Sequence, residues 1–218
     1  MKAEETKILI TNVSLNYVAI LEPKAGPSGG EPRYSVQMRI KKDAPGTKDT
    51  LAKIAKAMTA AFENGKAQKW GGKNPDWNEC KKIIHDGDKI AASGTVADAE
   101  SYKGYWVLSA NSKTKPGAID QSGLDLTQPG HTDDIYSGMI ATVSVNFFPF
   151  SGAKKGIACG LNNIMKTAEG TYAGGRASAQ SDFADLINEP APASEEPSKT
   201  EGPKQLDSIE VADDDLPF

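Results

Sequence analysis

Apolar and polar positions alternate along much of the chain, and one stretch switches to a helical period. Thr6 to Leu21 carries Ile8, Ile10, Val13, Tyr17, Val18 and Ile20. It reads as one long strand or two short ones. Pro23 to Pro32 is rich in glycine and proline and reads as a loop. Tyr34, Val36, Met38 and Ile40 then alternate with Ser35, Gln37, Arg39 and Lys41, the period of a half-buried strand. Leu51, Ile54, Ala55, Met58, Ala61 and Phe62 fall at helical spacing, with Thr47 as candidate N-cap and Gly65 as candidate stop. Strand patterns return at Lys89 to Ala99 and Tyr102 to Ala110. A long polar connection, Asn111 to Ser137, leads to the alternating Met139 to Phe148 and a last short strand, Gly156 to Leu161.

About six strands and one helix in the order ββαββββ predict a mainly β fold. We expect an OB-fold-like antiparallel β-barrel with one inserted α-helix, ahead of a split α+β sheet. After Asn188 the composition changes: Pro190, Pro192, Pro197 and Pro203 sit among Glu, Ser and Lys. The expected organisation is a binding domain over 1–188, a disordered Pro/Glu-rich linker over 189–208 and an acidic tip over 209–218.

Charge changes the picture more than composition does. The formal net charge is −4, which alone argues against a nucleic-acid partner. Residues 181–218, however, hold 11 acids and 2 bases, leaving 18 acids and 23 bases for residues 1–180. A body of net +5 carries a tail of net −9. The acidic start, Met1-Lys-Ala-Glu-Glu, does not read as a signal peptide. Met139 to Phe150 is too short to cross a bilayer, so no membrane role is expected. Cys80 and Cys159 do not make a disulfide framework, in keeping with a reduced intracellular protein.

No catalytic set stands out, and no cofactor is expected. Cys80, His85, His131 and Cys159 lack zinc spacing and read as unrelated. Asp86-Gly-Asp88 could hold a divalent ion in a nuclease, although Asp and Gly also favour a turn. The aromatics carry more information. Tyr102-Lys103-Gly104-Tyr105-Trp106 is followed by Lys113 and Lys115; Trp70 is bracketed by Lys69 and Lys73; Arg176 lies among glycines. Bases stack on aromatic faces while lysine and arginine hold phosphates. Trp70, Lys73, Tyr102, Lys103, Tyr105, Trp106, Lys113, Lys115 and Arg176 are therefore the candidate DNA-binding residues. Along one strand, Tyr105 and Val107 share a face and Trp106 and Leu108 share the other, so one aromatic can be core and the other exposed.

The chain ends Asp213-Asp214-Asp215-Leu216-Pro217-Phe218. This resembles the acidic tip of bacterial single-stranded DNA-binding proteins, Asp-Asp-Asp-Ile-Pro-Phe, with Leu216 in place of Ile. From about Asn12 to Phe183 the chain is similar to phage single-stranded DNA-binding proteins with an OB-fold. The resemblance is carried by Glu22-Pro-Lys24, Tyr34-Ser-Val36, Trp70-Gly-Gly-Lys73, Asp86-Gly-Asp88, Ser112-Lys-Thr-Lys-Pro-Gly117, Tyr136-Ser-Gly138, Val145-Asn-Phe147, Gly156-Ile-Ala158, Gly160-Leu-Asn-Asn163 and Gly175-Arg-Ala-Ser178. It implies a non-enzymatic protein, often a dimer, that coats single-stranded DNA in the cytoplasm of an infected bacterium. The tip, Asp213 to Phe218, would recruit a polymerase, helicase or nuclease. The residues alone leave two rivals: a metal-dependent nuclease or recombination factor centred on Asp86 and Asp88, and an adaptor with no DNA affinity.

Overall fold

The computed structural model describes residues 5–26, 29–80, 83–96 and 98–172. Within them, seven strands form one sheet in the order β3-β4-β2-β1-β6-β7-β5. The strands are β1 Lys7–Gly26, β2 Gly29–Lys41, β3 Ile84–Asp86, β4 Tyr105–Ser112, β5 Gly117–Ile119, β6 Ile140–Ser151 and β7 Lys155–Ala168. An additional parallel pairing of Asn111 in β4 with Gly160 in β7 closes β1, β2, β4, β7 and β6 into a five-stranded ring. That ring has OB-fold connectivity, with β4 and β6 taking the third and fourth barrel positions. The expected mainly β, OB-like class is what the chain adopts.

The alternating stretches supply the barrel lining. Ile10, Val13 and Leu15 of β1, Val36 and Met38 of β2, and Leu108 and Ala110 of β4 are buried. Met139, Ala141, Val143, Val145 and Phe147 are each at most 1% exposed, the inward face that their period of two requires. A helix, α1 Thr47–Gln68, packs on β6, β1 and β7 through Ile54, Ala57, Met58 and Ala61. Full burial of each large apolar side chain contributes roughly 1.5–3 kcal/mol.

Several boundaries differ from the sequence reading. The Pro/Gly segment after Leu21 is a two-stranded arm, with Lys24 opposite Arg33 and Gly26 opposite Gly29. Pro23 and Pro32 are tolerated because β1 pairs β6 only as far as Ser14 and β2 pairs β4 only from Tyr34 onward, leaving the arm's outer edges without a ladder to feed. Lys89 to Ala99 is not a strand. A short helix, α3 Gly87–Ser93, starts there because the Asp86 carboxylate accepts from the Asp88 N–H, and it stops at Gly94 with φ 61°. The strand in this region is β3, three residues earlier. Trp77–Cys80 forms one further short helix, α2. The polar connection after β4 contains β5, which runs parallel to β7.

Gly65 was expected to end α1, but the helix runs on to Gln68. Its role is close approach: a Cβ at Gly65 would lie 2.5 Å from the Trp70 ring. Trp70 is 2% exposed, edge-on to Phe62 at 5.1 Å between ring centroids, and its Nε1–H donates to the Phe150 carbonyl at 3.0 Å. Gly65→Ala is expected to destabilise by about 1–3 kcal/mol through overpacking, against the gain of roughly 1 kcal/mol such a change gives in an open helix. Urea unfolding measures the sign.

Candidate nucleic-acid interface

The outer face of β2 and β4 follows from their register. Ser35 faces Asn111, Gln37 faces Ser109, Arg39 faces Val107 and Lys41 faces Tyr105. Inward residues pair with inward residues, Met38 with Leu108 and Ile40 with Trp106. The outer row is polar except for Val107. In OB barrels this second-and-third-strand face, flanked by the loops between strands one and two and strands four and five, is where oligonucleotides bind.

The structure sorts the candidate residues. Tyr105 lies on the outer face and Trp106 on the inner, both half-buried. The Lys42 ammonium sits 4.7 Å from the Trp106 ring centroid. Lys103, Lys113 and Lys115 are exposed just before and after β4. Lys113 pairs with Glu31 at 2.8 Å, and Lys103 lies 3.8 Å from Glu100. Lys73 belongs to a different place. It stands with Trp70 beside the β6–β7 hairpin, where the Lys155 ammonium donates to both their carbonyls at 2.9 and 3.0 Å. Arg176 and Asp213 to Phe218 lie outside the described residues.

Two expected stacking residues are corrected. Trp70 packs under α1 with its indole N–H satisfied, and no ring face is open to a base. Tyr102 is 4% exposed, because the Arg39 guanidinium lies 4.1 Å from its ring centroid. Sequence reading took both as surface aromatics because neighbouring lysines suggested exposure.

Two residues it passed over shape this face. Arg39 projects from the outer row yet is 6% exposed, since the turn containing Asp98 and Ser101 folds over it. Its donors reach Ser101 O and Oγ at 2.9 Å each, Asp98 at 3.3 Å and Gln37 at 3.3 Å. A buried guanidinium needs this full set of partners. Burial alone would raise the Asp98 carboxyl, but hydrogen bonds from Tyr17, Ser101 and Arg39 hold it below its ordinary value. The second residue is Tyr17, an exposed ring beside that turn, whose hydroxyl donates to Asp98 at 3.0 Å. Its tyrosine stood in the β1 pattern, but nothing in the period marked it as outward.

Asp86 and Asp88 do not form an open carboxylate pair. Lys42 donates to both, to Asp88 at 2.6 Å. Asp86 also caps α3, and Asp88 accepts from the Gly104 N–H at 2.6 Å. Among the described residues no group of three or more His, Cys, Asp or Glu is placed to hold a metal ion.

The family of the Enterobacter phage Enc34 ssDNA-binding protein matches residues 6–194. The chain belongs to that family. Membership in the Enc34 family places it among binding proteins rather than enzymes. A curated relative, putative protein p50 of Acyrthosiphon pisum secondary endosymbiont phage 1, is 25% identical over 189 residues, covering 83% of this chain and 94% of its own. Two solved structures share the fold. The bacteriophage Enc34 protein in complex with ssDNA is 24% identical with a TM-score of 0.64, over 78% of this chain and 91% of that one. A second structure of the single-stranded DNA-binding protein from bacteriophage Enc34 is 22% identical with a TM-score of 0.61, over 85% of this chain and 92% of that one.

The Lys42 cluster makes a pH prediction. Lys42's hydrogen bonds are the first cause holding Asp86 and Asp88 below their ordinary value. Groups with depressed folded pKa contribute fully above the unfolded value of about 3.9 and lose that contribution as pH falls through the folded value. Below about pH 4 the melting temperature should therefore fall more steeply for the native chain than for Asp86→Asn/Asp88→Asn, while above about pH 5 the difference between them stays constant. Parallel thermal melts of the two proteins check this.

Proposed function

We propose that the chain binds single-stranded DNA, without sequence preference, along the outer face of β2 and β4. The observation that carries the reading is that face in a chain of the Enc34 family, whose named member has been solved with ssDNA. Polar side chains in its centre and lysines around β4 suit a flexible anionic strand. Both aromatics are half-buried, but Tyr105 lies on the outer face of β4 and Trp106 on the inner one, so Tyr105 is the better stacking candidate of the two. Lys103, Lys113 and Lys115 would hold phosphates.

The protein would coat and protect ssDNA during phage replication and recombination, in the cytoplasm of the infected host. The tip, Asp213 to Phe218, would recruit replication proteins such as a polymerase, helicase or nuclease. A terminal Phe offers a ring for an apolar pocket and a carboxylate for a basic group at one point. The three aspartates add steering toward basic patches. We also propose a dimer as the working unit, which equilibrium sedimentation would test.

Titration of oligo-dT at several salt concentrations tests the core of the reading. If about four phosphates are neutralised, log K falls with log salt at a slope of roughly −3. A flat dependence, or no binding, removes the proposed face. For the tip, Phe218→Ala should leave oligo-dT affinity within about two-fold while abolishing co-purification of replication proteins, since hot-spot anchors dominate such contacts.

A further inference from the structure

Tyr17 combines three features that occur together in no other aromatic among the described residues. The residue is 56% exposed, its backbone is left-handed at φ 49°, and its hydroxyl is held from two sides. The hydroxyl donates to Asp98 at 3.0 Å and accepts from the Tyr102 hydroxyl at 3.4 Å. Both anchors are fixed from beneath by Arg39, which bonds Asp98 and lies under the Tyr102 ring.

A non-glycine residue in the left-handed region is strained, and such strain persists only where surrounding structure enforces it. Here a register shift in β1 between Asn16 and Ala19 turns the side chain out of the strand's alternation. The result is a ring whose polar end is tethered and whose face is open. It stands next to the outer row, because Arg39 is opposite Ser14 of β1 on one side and Val107 of β4 on the other.

We propose that Tyr17 is a nucleobase-stacking subsite at the edge of the β2–β4 face, its ring held in place by Asp98 and Tyr102. The inference rests on the single-stranded DNA reading above and adds a location for one base. The ligand is an unpaired base of any identity, since every base offers a π-face. A base in a duplex has both faces covered by its neighbours, so the subsite favours single strands. Tyr102 then acts as a positioning residue beneath the surface. Immobilising the ring before the ligand arrives removes part of the ordering cost of binding.

The test uses the full chain and oligo-dT carrying 5-iododeoxyuridine. Tyr17→Leu should weaken oligo-dT binding about ten-fold, as expected for loss of one stacked base. The salt slope should not change, because the ring neutralises no phosphate. Tyr17→Phe should stay within about three-fold, since it keeps the ring and loses only the tether. Tyr17→Gly relieves the backbone strain, so its melting temperature should not drop while its affinity falls as for Leu. Ultraviolet irradiation should cross-link the iodinated base to Tyr17. The subsite is overturned if the native chain binds oligo-dT but Tyr17→Leu binds equally well and no cross-link maps to residue 17. It is also overturned if Phe loses as much as Leu, which would assign the effect to the hydroxyl's hold on the Asp98 turn. A native chain that does not bind oligo-dT overturns the broader reading, and the subsite with it.

Discussion

The structure depends on β4 being paired along both edges. One edge runs against β2 from Tyr34 opposite Ser112 to Lys41 opposite Tyr105. The other is divided between β3, opposite Trp106 to Leu108, and β7, which meets Asn111 at Gly160. A strand held on both sides cannot slip on one without breaking the other. A slip of one residue would turn Leu108 and Ala110 outward and bring Ser109 and Asn111 into the core. The polar row on the outer face is therefore set by the packing of the inner one. The interface inherits its geometry from barrel closure.

Much of this was legible where a single physical signal dominated. The strict alternation from Met139 to Phe147 announced an inward apolar face, and the α1 period announced its core stripe. Tyr105 and Trp106 were separable into two faces from spacing alone. Errors came where two signals competed. Apolar residues after Lys89 suggested a strand, but the Asp86 cap and Gly94 stop made a helix of two turns. Lysines near Trp70 suggested exposure, whereas Gly65 had opened room beneath the ring. Tyr17, Arg39 and Asp98 could not be assembled in advance. They are brought together by a bulge and a turn separated by about eighty positions, and no local period encodes that.

Charge arithmetic on the body also needs the structure to be read properly. Lys42 is committed to Asp86 and Asp88, Lys166 to Glu169, and Arg39 to Asp98 and Ser101. Glu31 holds both Arg33 and Lys113. These cations organise the protein first. Pairing leaves the net +5 of residues 1–180 unchanged but localises it, so the potential an approaching anion meets is concentrated at the cations that no carboxylate holds. Binding by such a surface leans on stacking and on polar contacts as much as on attraction between charges.

The β1–β2 arm gives the molecule an uneven resistance to opening. Inside the barrel each of these strands has two ladder partners, but β1 pairs β6 only as far as Ser14 and β2 pairs β4 only from Tyr34, so in the arm each has only the other. Amides near Lys24 and Arg33 will exchange with solvent by fraying of the ribbon, at a free energy well below that of global unfolding. The interrupted register between Asn16 and Ala19 separates that ribbon from the packed ladder. The arm can thus breathe on its own timescale, a semi-independent flap attached to a stiff drum.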